Sequence, residues 1–294
     1  MPITVINGVE SGPRLAMTAG FHPREYASIE ALTRLSNLID PSAIRGSAVI
    51  VHIVNTPGFE VRGRKNPIDD AHPTNSFPGS PDGGISQRIA HTLATEVISG
   101  SDYYIDHHCN DVQWVGPRNI IYPTIGNEEV DSKSEAMARC YKIKYLRKSV
   151  ERGSGSALGY ATHEGIPGIL TETGSMMGMS SETGLLQEER IDWNIEGTKN
   201  VMKLIGMIDG TPYQSTEKPI TNVVYLRAKE SGILYPLVGA DETASKGQAV
   251  AEIRDPFGNV KETMVSPIDG VVSLMTSYRA ITQGLPIIQL YELP

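Results

Sequence analysis

The alternation of two kinds of segment along residues 1–210 constrains the fold of this chain most strongly. Short apolar segments, typical of strands, are separated by longer segments of helical character. The strand-like segments are 15–20, 48–54, 103–105 and 168–171, and the helix-like segments are 25–38, 85–98, 131–145 and 184–207. Segment 48–54 is an almost continuous β-branched run, as expected for a strand buried on both faces. This order predicts an α/β fold in which helices cover the faces of a sheet.

The pattern changes near residue 210. From there to residue 294, helical periodicity is almost absent, and turn residues separate short apolar segments. These strand candidates are 232–234, 249–253, 270–272 and 286–290. We therefore predict two domains, an α/β domain over 1–210 and a smaller all-β domain over 211–294. We interpret the smaller one as a cap or oligomerisation module that narrows the mouth of the site, with Tyr278 and Arg279 either reaching the substrate or facing solvent.

Composition and charge exclude several classes of function. The 294 residues include 26 lysines and arginines and 34 aspartates and glutamates, which gives a formal net charge of −8. The sequence has no stripe of basic residues interleaved with aromatic residues. A nucleic-acid partner is therefore not expected. No apolar run approaches the length of a membrane span, so a membrane partner is not expected either. The two cysteines, Cys109 and Cys140, and an N-terminus without the pattern of a secretory signal favour a cytoplasmic protein.

Two polar motifs follow strand-like segments, and the carboxyl ends of strands are where sites form in α/β sheets. Segment 20–25 (GFHPRE) places His22 and Glu25 three residues apart, at a turn from a strand into a helix. Segment 105–110 (IDHHCN) places Asp106 beside two histidines, of which only one is expected to face the site, because side chains alternate along a strand. Each motif alone also fits a structural role. Segment 20–25 could be a surface histidine with a glutamate that complements the helix dipole. Segment 105–110 could be a polar strand end that faces solvent.

Two further features could take part in catalysis. Glu172 ends an apolar strand, and a carboxylate buried there has to be paired or has to act, for example as a general base. The long loop 55–83 contains Arg64, and an arginine in such a loop can polarise a carbonyl and hold an oxyanion. An outward-facing glutamate and a solvated basic loop are the structural alternatives. Segment 175–179, which is rich in methionine, either lines an apolar pocket or packs in the core.

Together the motifs predict a catalytic zinc site. Three protein ligands, His22, Glu25 and His108, with an open fourth position for water, fit the pattern of such sites. One zinc ion per chain is therefore expected. The native metal stays open, because other divalent ions bind similar sets of nitrogen and oxygen ligands.

The ordered set of motifs resembles the succinylglutamate desuccinylase/aspartoacylase family of zinc hydrolases, which are related to the zinc carboxypeptidases. The family pattern runs Gly-x-His-x-x-Glu, Asn-Pro, Arg, Asn-Arg-x-Phe-Pro-Gly, Asp-x-His and a late Glu. The matching segments are 20–25, 55–57, 62–64, 75–79, 106–108 and 171–174, and segments 266–272 and 282–284 resemble the C-terminal β module of the family. The resemblance implies a zinc-carboxypeptidase-like α/β fold, with a mixed sheet flanked by helices and a smaller C-terminal all-β domain.

The resemblance implies the same three zinc ligands and a role for four other residues. Asp106 would contact a metal ligand rather than the metal itself. Glu172 would activate the zinc-bound water and then protonate the leaving nitrogen. Arg64 would polarise the scissile carbonyl, and Asn75 would help to hold the substrate.

Segment 75–79 departs from the family pattern, because it has one residue fewer between the asparagine and the phenylalanine, and the aspartate usual two residues before the asparagine is Pro73. The arginine that normally binds a substrate carboxylate is Ser76 here, and a serine cannot replace that charge or its bidentate contact. N-acetylaspartate and succinylglutamate are therefore disfavoured as substrates. We expect a substrate without that carboxylate, or one held by another cation, for which Arg62, Arg118 and Arg24 are the candidates.

The predicted function is zinc-dependent hydrolysis of an amide bond in a small N-acyl compound. One alternative is a carboxypeptidase-like metallopeptidase, against which the loss of arginine at position 76 argues. Another is a catalytically silent binding protein on the same scaffold, against which the retention of the three ligands together with Glu172 argues. A small-molecule substrate and a homo-oligomeric assembly are expected, while the acyl group and the amine stay open.

Overall fold

The centre of the fold is a mixed sheet of seven strands. A computed structural model describes residues 1–151, 153–174, 176–180 and 182–294. Its first eight strands are β1 (Ile3–Asn7), β2 (Glu10–Ala19), β3 (Arg45–Val51), β4 (Tyr103–His108), β5 (Trp114–Val115), β6 (Asn119–Thr124), β7 (Tyr145–Val150) and β8 (Gly168–Glu172). All but β5 form one sheet, in the order β1-β3-β2-β4-β8-β6-β7. The pairs β1–β3 and β6–β8 are antiparallel and the others are parallel, which confirms the predicted fold class.

Helices cover both faces of this sheet. The described residues form α1 (Tyr26–Leu38), α2 (Thr56–Glu60), α3 (Ile85–Thr92), α4 (Glu128–Ala138), α5 (Ala157–His163) and α6 (Glu188–Leu204). α1, α4 and α6 pack in the core on one face, whereas α3, its π-helical continuation Leu93–Ile98 and α5 pack in the core on the other. In the part of the chain that the structure describes, no helix is long and apolar enough to cross a membrane.

Burial along β3 agrees with the sequence pattern. Ala48 and Ile50 belong to the core that contains α1, and Val49 and Val51 belong to the core that contains α3. The strand is thus buried on both faces, as its β-branched run predicts.

One predicted helix is too long, and several short elements escape the sequence analysis. The helix expected over 131–145 ends early, because Tyr145 already begins β7. Met137, Tyr141 and Tyr145 recur every four residues and so imitate the apolar stripe of a helix. In the structure, Tyr141 packs against Gly197 of α6 instead. The elements β1, β6, β7, α2 and α5 were not predicted, since they are short and their periodicity is weak.

Residues 211–294 form two further sheets. Their strands are β9 (Val223–Arg227), β10 (Gly232–Pro236), β11 (Thr243–Ala244), β12 (Ala249–Arg254), β13 (Val260–Val265), β14 (Gly270–Thr276), β15 (Ala280–Ile281) and β16 (Pro286–Glu292). One sheet has the order β13-β12-β10-β15 and the other β11-β14-β16-β9, with β5 added to β14. The chain segment after β4 therefore pairs with the C-terminal sheet. The division into domains over 1–210 and 211–294 stays a prediction.

Candidate active site

Three neighbouring strands bring predicted site residues to one edge of the large sheet. β2, β4 and β8 are adjacent and parallel. His22 and Glu25 follow the carboxyl end of β2, and His108 ends β4, where it pairs in register with Glu172 of β8. Because the carboxyl ends of parallel strands meet at the same edge, these four residues come together although they are far apart in the sequence.

His22, Glu25 and His108 form a cluster, called here the metal cluster, that can hold a metal ion. The Nδ1 atoms of both histidines lie 2.8 Å from the Glu25 carboxylate, that of His22 from Oε1 and that of His108 from Oε2. One potential ligand atom from each residue lies within 4.8 Å of the others. Glu25 and His108 are buried, whereas the His22 side chain is 15 % exposed. Two imidazole nitrogens and a carboxylate, accessible at one side, are the donor set of an open zinc site.

The local backbone explains the spacing of the Gly-x-His-x-x-Glu motif. Gly20 has a left-handed φ of 72°, which suits glycine, and it turns the chain out of β2. The backbone N–H of Glu25 donates to the carbonyl of His22 at 3.1 Å, so the two side chains leave one tight turn. Glu25 is also the N-cap residue of α1, and its carboxylate accepts a hydrogen bond from the backbone N–H of Cys109 at 3.2 Å. The turn and the end of β4 thus hold the carboxylate from two sides.

Asp106 lies behind His108. Its Oδ2 is 3.2 Å from Nε2 of His108, and its Oδ1 accepts a hydrogen bond from the Thr18 hydroxyl at 2.9 Å. The Thr18 hydroxyl also contacts that of Tyr104 at 2.6 Å, and all of these side chains are buried. A carboxylate on the far nitrogen of a histidine ligand fixes the tautomer and the orientation of the ring. Asp106 therefore occupies the place from which it would orient His108.

The charges of the metal cluster favour a bound cation. Burial opposes ionisation of Glu25, but the charges and hydrogen bonds of His22 and His108 lower its pKa to about 2. Burial also opposes a charged His108, but Asp106 and Glu25 raise its pKa well above the ordinary value. Burial lowers the pKa of His22. The Glu25 carboxylate thus stays ionised at neutral pH in a buried place, where it requires positive charge beside it.

Glu172 faces the metal cluster from β8. Among the described residues, no hydrogen-bond partner reaches its buried Oε2 atom. Burial and, after it, the negative charge of Glu25 raise the pKa of Glu172 to about 8. A carboxyl group whose pKa lies near neutrality is suited both to accept and to return a proton.

Arg64 is held beside the metal cluster by a carboxylate that no local motif marks. Nη1 of Arg64 and Nη2 of Arg24 each donate to Oδ2 of Asp111 at 2.9 Å, and the Asp111 side chain is fully buried. Nη2 of Arg64 lies 3.2 Å from Nε2 of His22. Sequence reasoning missed Asp111 because its partners are 47 and 87 residues away.

The loop with Asn75 and Ser76 approaches the metal cluster through another residue that sequence reasoning missed. The His72 ring lies 5.9 Å from the His22 ring, centroid to centroid. The Ser76 hydroxyl donates to the backbone carbonyl of His72 at 3.0 Å, so this side chain stabilises the loop. Asn75 ends the short 3₁₀ turn Pro73–Asn75 and is exposed. The loop thus borders the site, with Asn75 accessible to a ligand.

The three candidate arginines occupy different places. Arg24 is bound to Asp111, next to Arg64. Arg62 is exposed and has a left-handed φ of 57°. The guanidinium carbon of Arg118 lies 5.9 Å from the centroid of the Trp193 ring, and its Nη1 donates to the carbonyl of Glu189 at 3.4 Å. The contacts described for Arg118 are therefore with α6 rather than with the metal cluster.

The two residues that flank His108 lie in the interior of the protein. His107 points to the opposite face of the sheet, where its Nδ1 lies 3.2 Å from the side-chain oxygen of Asn194. Burial raises the pKa of the Cys109 thiol well above its ordinary value, so the thiol stays protonated. In the methionine-rich segment 175–179, Ser175 lies outside the described residues.

Comparison with known proteins places this chain among hydrolases of the deacylase type, which act on amide bonds of small N-acyl compounds. The profile of the succinylglutamate desuccinylase/aspartoacylase catalytic domain matches residues 11–205, the range that carries the strands and loops of the site. The chain belongs to this family, as its motifs predicted.

Relatives and solved structures extend the similarity over the C-terminal sheets. The N-alpha-acetyl-L-2,4-diaminobutyric acid deacetylase of Halomonas elongata is 26% identical over 297 residues, which cover 97% of this chain and 79% of that protein. The product-bound ectoine utilization protein EutE (DoeB) from Ruegeria pomeroyi has a TM-score of 0.90 at 20% identity, covering 99% of this chain and 88% of that one. A succinylglutamate desuccinylase/aspartoacylase from Rhodobacter sphaeroides has a TM-score of 0.88 at 23% identity, covering 100% of this chain and 89% of that one.

Proposed function

We propose that this chain is a zinc-dependent deacetylase of a small N-acetyl amino compound, with Glu172 as the general base. The observation that carries the proposal is the convergence of His22, Glu25 and His108 at the edge where Glu172 also ends its strand. Ligands and base thus share one site, as amide hydrolysis by a metal-activated water requires.

The residues of the metal cluster fit zinc. Both Nδ1 atoms already face oxygens of the Glu25 carboxylate, and Asp106 faces the far nitrogen of His108. His22, Glu25 and His108 would hold one zinc ion. Bound there, zinc would lower the pKa of a coordinated water and polarise the carbonyl of the substrate.

Glu172 and Arg64 supply the remaining chemistry. Glu172 would accept the proton of the attacking water and return it to the leaving nitrogen. Its raised pKa suits this role, and its Oε2 atom has no hydrogen-bond partner among the described residues. Arg64, whose Nη2 lies beside His22, would donate hydrogen bonds to the carbonyl oxygen as negative charge develops there. Guanidinium groups are effective in this role because they stay charged and offer several donors.

The substrate class follows from the loop with Asn75 and Ser76. Ser76 brings no charge, and its hydroxyl is bound to the loop backbone, so the family's usual grip on a side-chain carboxylate is missing. The Halomonas elongata relative is named for a substrate whose side chain ends in an amine. An N-acetyl derivative of an amino acid without a second carboxylate therefore fits this site, with Asn75 as a residue that helps to hold it.

A substrate panel tests the proposal. Zinc-loaded protein is incubated with N-alpha-acetyl-L-2,4-diaminobutyric acid, N-acetylaspartate and N-succinylglutamate, and the released amine is measured. We expect the first compound to be cleaved with the highest kcat/KM. Glu172→Gln should retain zinc and lower kcat by about 10²- to 10⁴-fold, the usual contribution of general acid–base catalysis.

The control is Glu164→Gln, the same change at an exposed position after α5. It should leave kcat unchanged. Zinc-loaded protein that cleaves none of the three compounds, or a Glu172→Gln variant as active as the parent, would contradict the proposal.

A further inference from the structure

Asp111 is a buried carboxylate that the proposed chemistry does not use directly. Its Oδ2 accepts from both Arg64 and Arg24 at 2.9 Å, and its Oδ1 accepts from the backbone N–H of Val112 at 2.6 Å. A fully buried carboxylate that accepts hydrogen bonds from three donors has a fixed orientation. It can therefore set the position of a guanidinium group.

Metal binding leaves Asp111 as the anchor of Arg64. Among the described residues, Arg64 contacts Asp111 through Nη1 and Nε2 of His22 through Nη2. A histidine that binds a metal through Nδ1 carries its proton on Nε2, which then cannot accept a hydrogen bond. The contact with His22 would then be lost and Nη2 would be free to meet a substrate oxygen, while the contact with Asp111 would not be affected.

The chain segment that carries Asp111 is fixed by the C-terminal sheet. This segment, 111–115, is called here the strap. The hydroxyl of Ser277 donates a hydrogen bond to the backbone carbonyl of Val112 at 2.6 Å. The backbone N–H of Ser277 donates to the backbone carbonyl of Gln113 at 2.9 Å. β5, at the end of the strap, pairs with β14. The position of Asp111 thus depends on residues outside the large sheet.

We infer that Asp111 is a positioning residue for the reaction: held by the strap, its carboxylate keeps the Arg64 guanidinium pointed at the substrate carbonyl next to the metal cluster. The inference rests on the proposed function. Arg24 shares the carboxylate and balances its charge, so that two guanidinium groups and one carboxylate leave net positive charge on this side of the site.

A double-mutant cycle tests the inference. The kcat and KM for the best substrate of the panel, the bound zinc and the unfolding temperature are measured for the parent, Asp111→Asn, Arg64→Ala and the double variant. With Arg64 present, Asp111→Asn should lower kcat about ten- to hundredfold, because small displacements of a catalytic group cost this much. KM should change less than kcat, and bound zinc should not change.

The interaction between the two changes distinguishes positioning from general stabilisation. In the Arg64→Ala background, Asp111→Asn should change kcat by less than about threefold, since residues that act as a unit are not additive. Equal loss of kcat in both backgrounds, or no loss with Arg64 present, would overturn the inference.

Two further variants keep the test decisive. Asp209→Asn removes an exposed ion pair with Arg45 and should leave kcat unchanged. Asp111→Asn alone could unfold because the guanidinium groups of Arg24 and Arg64 repel each other. In that case, the substitution is made in an Arg24→Met background. Relative to Arg24→Met alone, the same loss of kcat is expected. An inactive zinc-loaded parent would contradict the proposed function and the inference with it, whereas an active parent with an unaffected Asp111→Asn variant would contradict the inference alone.

Discussion

The two sides of the site are built in different ways. The side with the metal cluster stands on the ends of β2 and β4, which share a continuous ladder of backbone hydrogen bonds. The side with Arg64 stands on a loop, and its guanidinium is fixed by a carboxylate on the strap. The strands that carry the first side belong to the large sheet, whereas the strap that fixes the second side pairs with the C-terminal sheet. Changes to each side should therefore separate metal binding from turnover.

The largest effect is expected on the side of the metal cluster. His108→Ala removes one of three ligands, so bound zinc should be lost and kcat/KM should fall about a thousandfold or more, because the metal supplies several kcal/mol of transition-state stabilisation. Elemental analysis and amine release measure both effects. His163→Ala, on the exposed end of α5, is the control and should keep zinc and activity. Full activity without bound zinc in His108→Ala would refute the assignment.

A smaller effect on the same side is expected from Asp106. Asp106→Asn keeps the shape but weakens the contact with Nε2 of His108, so zinc affinity should fall about 10- to 100-fold. Competition with a zinc chelator measures the affinity. Asp102 lies just before β4, at the opposite end of that strand from His108, and accepts a hydrogen bond from the backbone N–H of Arg14; Asp102→Asn is the control and should leave the zinc affinity unchanged. Equal affinities for both variants would show that Asp106 does not support the ligand.

The strap offers a way to change turnover without changing metal binding. A Cβ atom at Gly116 would lie 2.5 Å from the carbonyl oxygen of Ser273 in β14, so Gly116→Ala should displace the strap from the C-terminal sheet. We expect kcat to fall about tenfold through displacement of Asp111 and Arg64, with zinc retained. Gly155→Ala, where a Cβ atom would meet no neighbour within 4 Å, is the control. Loss of zinc in Gly116→Ala would show that the two sides are not separable.

The smallest effect is expected at Ser277. Ser277→Ala removes one hydrogen bond to the strap, so the free energy of unfolding should fall by about 1 kcal/mol and kcat by less than about threefold. Denaturant titration and steady-state kinetics measure the two quantities. Ser132→Ala removes a hydrogen bond to a backbone carbonyl at an exposed position of α4 and should cost less stability. An effect on kcat as large as that of Asp111→Asn would mean that Ser277 does more than hold the strap.

The side of the site with the metal cluster is the side that the sequence predicts. The large sheet and the metal cluster are predictable because strand-like segments and short motifs such as that of His22 and Glu25 are local patterns. The fold class and the family are confirmed, and β3 is buried on both faces as expected. The site assignments of Glu172 and Arg64 stay predictions until activity is measured.

The other side of the site resists prediction because it depends on distant contacts. Asp111 meets Arg24 and Arg64 only after the loop and the end of β2 have folded over it, and Ser277 meets the strap across 165 residues. The helix predicted over 131–145 was too long for a similar reason, because packing on α6 outweighs helical spacing. Tertiary contacts of this kind leave no periodic signal in the sequence.

Anomalous X-ray diffraction at the zinc edge, on crystals of the zinc-loaded protein, locates the bound metal. We expect one peak per chain at about 2.0–2.2 Å from Nδ1 of His22, Nδ1 of His108 and a carboxylate oxygen of Glu25. We also expect that Arg64 remains on Asp111 while its contact with Nε2 of His22 opens. A peak elsewhere, or none at these three residues, would contradict the proposal that the metal cluster binds zinc.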